Sequence, residues 1–263
     1  MSKSPEPTKG QSNIQPLTYQ KKIFPVDILT EYPNTQGSAD LKLIVNGRDG
    51  KDYAVKKPND GKGKVPASEL LCYELAYRVT IPTPSWAFIN LSDGDIGFGS
   101  VWEGGVAKIA HINQIISILQ YKVKVNNLKV FLSRLYAFDL FVNNVDRHWG
   151  NYLWRESYDQ SFITLAFDFS RACFETGHDK YDAFDPGCNT QSTFTLINLT
   201  MNYDRQEAIK CLDDLLAITP SEIEDMIKDM PHTWMTASEK KSYIDWWASS
   251  ARTDRIATIK GKI

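Results

Sequence analysis

At 263 residues with 42% hydrophobic content, the chain can bury a substantial core as one catalytic unit or two small subdomains. Its 30 basic residues against 32 acidic ones leave a formal charge of −2, so the chain as a whole has no electrostatic reason to bind nucleic acid or anionic lipid. Cys72, Cys173, Cys188 and Cys211 lie far apart without zinc-ligand spacing, and no apolar run reaches membrane-spanning length, which gives the expectation of a protein of the reducing cytoplasm with no membrane contact.

Met1 to Gln20 is rich in Ser, Pro, Lys and Gln, lacks the apolar stretch of a signal peptide, and reads as a disordered tail. Ile23 to Thr30 reads as a first strand, Tyr32 to Ser38 punctuates it, and Leu41 to Val45 resumes the alternation. Asn46-Gly47-Arg48-Asp49-Gly50 is a strong turn signal leading into Tyr53-Ala54-Val55-Lys56, so three antiparallel strands are expected to open the fold. Pro66-Ala67-Ser68 starts a helix that carries Leu70, Leu71, Leu75 and Val79 toward the sheet. Ile81-Pro82-Thr83-Pro84 breaks it. Trp86 to Leu91 and Ile96 to Val101 flank the turn Ser92 to Asp95 and bring the sheet to about five strands.

Val101-Trp102-Glu103-Gly104-Gly105 suits a crossing between two parts of the fold, where backbone groups can read the edge of a bound base. Beyond it, Leu128, Phe131, Leu132, Leu135, Phe138 and Val142 follow a helical repeat. Tyr152 to Trp154 and Ile163 to Phe167 look like a short hairpin. Asn202 to Ala217, Ser221 to Met230 and Thr236 to Ile259 read as three helices, the second opened by Thr219-Pro220-Ser221-Glu222 as a capping box. Cys72 and Cys211 fall on apolar helix positions that suit buried thiols, and Trp234, Trp246 and Trp247 read as packing.

The chemistry concentrates in Asp146-Arg147-His148-Trp149-Gly150-Asn151 and, after a strand-like interval, Asp168-Phe169-Ser170. A loop Asp can accept a proton from an attacking hydroxyl, while an Asn on the same loop and a second Asp hold magnesium against nucleotide phosphates, which is a phosphoryl-transfer pattern. Asp146 is thus the expected catalytic base or orienting group, and Asn151 and Asp168 are the expected metal ligands, both offering the hard oxygens that Mg2+ prefers. Ala54 and Lys56 face the same side of their strand, so one can floor an adenine slot while the other reaches phosphates; Glu69 near the helix start is placed to pair with Lys56. Gln36, Gly37 and Ser38 can cover phosphates through backbone amides, and Val101, Trp102 and Glu103 can frame the base. Each has a plainer reading: a turn-capping Asp, a turn Asn, a strand-end Asp, an acid complementing a helix dipole, a common hairpin turn, a core tryptophan. Asp139, on an otherwise apolar helix, is expected to hydrogen-bond the loop backbone, and His148 either braces that loop or touches substrate.

Tyr53 to Lys56, Ser68 to Leu71, the run Phe138 to His148, Gly150-Asn151 and Leu165 to Phe169 together resemble the HipA-like kinase domain, a bacterial relative of the HipA toxin kinases and more distantly of protein kinases and type II phosphatidylinositol 4-kinases. The resemblance spans roughly residues 22 to 258, and Asp-Arg-His followed by Gly-Asn is its most specific part. It selects Lys56 over Lys57. It implies a two-lobed α+β, protein-kinase-like fold, with an antiparallel-sheet lobe over 21–103 and a mainly helical lobe with the catalytic loop over 104–263. It also implies ATP and Mg2+ as cofactors, a protein Ser or Thr as acceptor, and an antitoxin or neighbouring-gene protein as a possible partner. Ser170 stands where protein kinases have Gly, and no GxGxxG loop is present. A small-molecule or lipid kinase and a nucleotide-binding pseudokinase scaffold remain open alternatives.

Overall fold

The computed structural model describes residues 24–33, 43–102, 104–107, 109 and 111–263; the expected tail to Gln20 and the expected contributions of Gln36, Gly37, Ser38, Leu41 and Glu103 lie outside them. Strands β1 (Val26–Pro33), β2 (Leu43–Gly47) and β3 (Asp52–Lys56) run antiparallel in sequence order, as the turn chemistry of Asn46 to Gly50 predicts. Gly50 adopts φ +79°, which a side chain would strain. β1 begins later than Ile23, with Phe24 and Pro25 outside the ladder, and continues past Thr30 because its pairing with β2 extends through Tyr32↔Ile44 and Pro33↔Leu43.

α1 (Val65–Arg78) has Pro66 in its first turn and is buried from Val65 to Ala76. β4 (Trp86–Asn90) and β5 (Ile96–Val101) follow as the alternation predicts, and β5 pairs with β3. β1 also lies parallel to β4, closing these first five strands into a barrel in the order β1-β2-β3-β5-β4. Its interior is a small apolar core of Leu43, Val45, Tyr53, Val55, Ala87, Ile89 and Leu91. Gly99 lets β5 close on β4, since a Cβ there would stand 2.5 Å from Ile89 Cγ1.

The remainder is mostly helical. α2 (Ile112–Leu119) buries Ile115, Ile118 and Leu119; the sequence reading did not foresee it, although Ile112, Ile115, Ile116 and Leu119 stand at helical spacing. α3 (Leu128–Phe141), β6 (Tyr152–Glu156) and β7 (Phe162–Ala166) match the expected helix and hairpin. The short α4 (Cys173–Thr176) precedes α5 (Asn189–Leu199), also unforeseen. α6 (Arg205–Ala217) and α7 (Pro220–Ile227) agree with expectation, including the Thr219–Glu222 capping box. The single helix expected over Thr236 to Ile259 is two, α8 (Ala237–Ala248) and α9 (Ser250–Lys262). Ser249 leaves the helical conformation at ψ 170°, and its hydroxyl receives the amide of Ala251 and so starts a new helix.

One large core joins the strand and helical regions: Trp86, Phe88 and Phe98 from the sheet meet α1, α3 and α6 to α9. Trp234 and Trp247 are fully buried, and their indoles donate to the carbonyls of Ile96 and Ile218. No helix among the described residues is long and apolar enough to cross a membrane.

α9 reaches back to finish α3. Arg255, buried, donates from Nε to Phe141 O and from Nη2 to Leu140 O, each at 2.8 Å, and from Nη1 to Lys180 O. The last carbonyls of a helix have no partner within it, so this guanidinium closes an end that would otherwise be buried unsatisfied. Arg255→Met is expected to cost about 2–4 kcal/mol, seen as a fall of roughly 5–12 °C in the thermal midpoint. An unchanged midpoint would show that α3 is held from elsewhere.

Candidate active site

α3 stops at Phe141, and Asn143 turns the chain through φ +54°. The Asn143 amide donates to Gly177 O at 3.1 Å, and its Oδ1 receives Ala183 N at 2.9 Å, so a side chain able to serve both faces of the turn sits where one is needed. Two residues before the helix ends, Asp139 is fully buried and faces Arg147 in a two-pronged pair, Nε to Oδ2 at 2.9 Å and Nη2 to Oδ1 at 3.1 Å. Asn144 Nδ2 adds a third bond to Oδ1 at 2.7 Å. The expectation that Asp139 holds loop backbone amides is therefore corrected: its carboxylate takes side-chain donors.

Arg147 is 2% exposed, and its remaining nitrogen donates to two carbonyls, Asn151 O at 3.1 Å and Phe167 O at 2.6 Å. One guanidinium thus joins α3, the loop after it and the end of β7. Burial opposes the charge on Arg147, but Asp139's charge and hydrogen bonds overcome it and raise its proton affinity. Burial still pushes the Asp139 carboxyl above its ordinary value, the mark of a pair that is expensive to desolvate and depends on both members.

On this frame sit two of the expected functional groups. Asp146 is half-buried; its Oδ1 receives Asn189 Nδ2 at 2.5 Å and its backbone carbonyl receives Asn151 Nδ2 at 2.9 Å. With the Asn151 amide nitrogen so engaged, its Oδ1 is the atom left to meet a cation. The turn between them, Trp149–Asn151, is a single 3-10 turn whose Gly150 amide bonds His148 Nδ1 at 3.1 Å, so His148 braces the loop. α5 supports the other side. Thr190 Oγ1 receives Arg147 N and donates to Asn144 O, while Thr193 Oγ1 donates to Arg147 O at 2.8 Å. Sequence reasoning missed Asn189, Thr190 and Thr193, because Asn-Thr-Gln-Ser-Thr is a loop-like composition with little apolar periodicity.

Asp168 follows β7 and adopts φ +58°, a left-handed conformation that Asp tolerates better than most residues. Its Oδ1 receives both the amide of Ser170 at 3.2 Å and the Ser170 hydroxyl at 2.5 Å. The residue that departs from the protein-kinase pattern thereby clamps the carboxylate. Lys56, buried on β3, approaches the same group at 3.5 Å from Oδ1 and 3.4 Å from Oδ2. Burial works against the charge on Asp168, but Lys56, Ser170 and Arg147 outweigh it and hold the carboxyl below its usual value. Phe169 turns inward between the rings of Tyr73 on α1 and Phe138 on α3.

Glu69 is 1% exposed, and neither of its oxygens has a hydrogen-bond partner. The expected Lys56–Glu69 ion pair is not made, because Lys56 lies on Asp168. Glu69 nevertheless belongs to the same cluster: burial first, then the charge of Asp168, push its carboxyl up to about 8, with Lys56 partly offsetting them. The hard oxygens of Asp168 and Asn151 are the kind that a divalent cation such as magnesium prefers.

Val101 ends β5 opposite Tyr53, and Trp102 hydrogen-bonds Asp52 O while remaining 44% exposed, so it is not core. A further acid, Glu175, is one sequence reasoning missed. Its carboxylate receives the amides of Lys62 at 2.5 Å and Lys64 at 3.2 Å and so shapes the turn between β3 and α1. A Cβ on Gly61 would collide with that carboxylate.

The sequence profile of the HipA-like kinase family matches residues 35–255. No curated protein matches the chain. Among solved structures, the Helicobacter pylori proinflammatory kinase CtkA is similar at a TM-score of 0.57 and 14% identity, over 90% of this chain and 98% of that one. HipA of the Shewanella oneidensis MR-1 toxin–antitoxin system, in complex with HipB and its operator DNA, is similar at 0.52 and 12% identity, over 92% of this chain and 70% of that one. At such identities the likeness is one of fold.

Asp139→Asn leaves Arg147 buried beside a neutral partner and is expected to lower unfolding free energy in denaturant by about 3–5 kcal/mol, whereas the double replacement Asp139→Leu with Arg147→Met recovers much of the loss. A single replacement within 1 kcal/mol of wild type would contradict this. Glu69 predicts a pH dependence of definite sign. A carboxyl ordinarily at 4.5 and raised to about 8 in the fold binds more proton folded than unfolded, so its contribution is complete below 4.5 and lost as pH rises through 8. Glu69→Gln is expected to flatten that decline between those values and to be the more stable protein at the alkaline end, as read from thermal midpoints across pH.

Proposed function

Because the chain belongs to the HipA-like kinase family, we propose that it transfers a phosphoryl group from ATP to a serine or threonine hydroxyl of another protein. The observation that carries this reading is the convergence on Asp168: Lys56 reaches it from β3, Ser170 clamps it, and Arg147 ties the end of β7 to the loop of Asp146 and Asn151. In this reading the barrel and α1 form one lobe over 21–103, the helices form a second over 104–263, and the nucleotide lies between them.

Each group then has a task. Lys56 draws in the phosphate oxygens, and Val101 and Trp102 frame the base. Asp168 and Asn151 hold the metal. When bound, magnesium neutralises charge on the phosphates. Asp146, one oxygen fixed by Asn189, turns the other toward the acceptor hydroxyl and takes its proton. Asn189 is in this sense a positioning residue. The HipA structure holds HipB beside it, and by that analogy we read a cytoplasmic setting for this chain in which an antitoxin-like protein restrains it.

Incubation with labelled ATP, magnesium and host lysate tests the reading. Wild-type chain is expected to label protein serine or threonine, and Asp146→Ala to lower the rate about 10³-fold while nucleotide still binds. Asp168→Asn is expected to abolish the magnesium dependence of nucleotide binding. Undiminished transfer by Asp146→Ala, or label found only on a lipid or small molecule, would overturn the assignment.

A further inference from the structure

Past Lys56 the chain leaves β3 for the turn over residues 57–64, and behind that turn lies a cavity of about 330 Å³ lined by Lys56, Asp60, Lys62, Ser170, Arg171 and Glu175 among others. Its place in the fold limits what it can hold. Tyr53 pairs with Val101 at the base-framing edge, and Lys56 pairs with Phe98 three residues further along the strand. At about 3.3 Å per residue, Lys56 stands roughly 10 Å from that edge, and the cavity lies beyond it. Ser170, whose hydroxyl holds Asp168, forms part of the wall. The cavity therefore adjoins the Lys56–Asp168 pair at the end of β3 remote from Val101, and in an in-line displacement the acceptor enters opposite the departing nucleotide.

The charge of the lining is unevenly committed. Both carboxylates are turned onto backbone amides: Asp60 receives Lys57 N at 2.7 Å, and Glu175 receives Lys62 N and Lys64 N. Of the cations, Lys56 lies on Asp168, while among the described residues Lys62 Nζ reaches a backbone carbonyl, Glu175 O at 3.4 Å, and neither Lys62 nor Arg171 makes an ion pair. A cavity of this volume is at the lower limit for small-molecule sites and takes a side chain or two. An arginine fork beside an ammonium is suited to a carboxylate.

We propose that this cavity is an acceptor subsite in which Lys62 and Arg171 receive an Asp or Glu side chain lying next to the phosphorylated Ser or Thr, so that acidic protein segments are the preferred acceptors. The subsite rests on the kinase reading above and names the acceptor class for that same site. Electrostatic complementarity at such a contact chiefly sets which partner is chosen.

The test uses Ser-centred peptides in which one neighbouring position at a time is Glu or Gln. Binding is measured on the Asp146→Ala chain, where no transfer is required, and kcat/KM on the wild type. At one or more positions Glu is expected to exceed Gln about tenfold in both readings. Lys62→Glu and Arg171→Glu are expected to abolish that preference, and Arg171→Glu to favour Lys at the same position, a reversal that mere loss of structure would not produce. Binding indifferent to peptide charge overturns the subsite, with or without transfer. Charge-dependent binding without transfer upholds the subsite and sinks the kinase reading instead. If the variants raise KM for ATP and leave peptide selectivity intact, the cavity belongs to the nucleotide phosphates and the proposal falls.

Discussion

The site depends first on a single buried ion pair. Asp139 and Arg147 are both withdrawn from water, and the cost of doing so is repaid only because the guanidinium spends all its faces: two bonds to the carboxylate, two to main-chain carbonyls, and a ring, Phe169, 4.6 Å beneath it. The carbonyls it chooses belong to Asn151 and Phe167, the first a candidate metal ligand and the second the residue before another. Two loops far apart in sequence are thereby fixed relative to each other through one planar group. Helix α3 beneath and α5 beside the loop complete the mount, and neither contributes an acid or base of its own to the chemistry.

Around Asp168 the fold makes a different kind of provision. A left-handed backbone turns the carboxylate toward β3, and Ser170 fixes its rotamer with two donors. Lys56 then settles on Asp168 in preference to Glu69, since Asp168 is also the carboxylate kept ionised by neighbouring donors. Glu69, buried on α1 with the Asp168 carboxylate near it, accommodates its burial by holding its proton more tightly. The cluster is thus ordered by proton affinity as well as by distance, with one acid held ionised and the other inclined to neutrality.

Much of this was legible from residue order, and the reasons are specific. Asp146, Asn151 and Asp168 announced themselves by spacing, and Lys56 by alternation on a strand ended by a clear turn signal. The barrel strands were visible because Gly and Asn punctuate them, but its closure was not, since the parallel contact of Val26 and Asp27 with Ile89 and Asn90 joins residues with no local signature. The partner of Lys56 was misjudged because a sequence places Glu69 on a helix without saying how far the lysine has already been drawn toward Asp168. α5 escaped notice because two of its three buried residues, Thr190 and Thr193, are threonines that bond the loop, and Ile197 alone is apolar. Ser249, which divides α8 from α9, is set apart from an ordinary helical serine by its extended backbone and by what its hydroxyl meets, and residue order shows neither.

The bond from Arg255 to the end of α3 joins residues 114 apart in the chain. At synthesis rates of roughly 5–20 residues per second, the ribosome lays down Phe141 some 6 to 23 seconds before the arginine that caps it. Through that interval the carbonyls that end α3 are without the guanidinium that closes them. Translation speed, and any chaperone able to bind such a half-finished helix end, therefore acts on this protein at the segment that leads into Asp146 and Asn151.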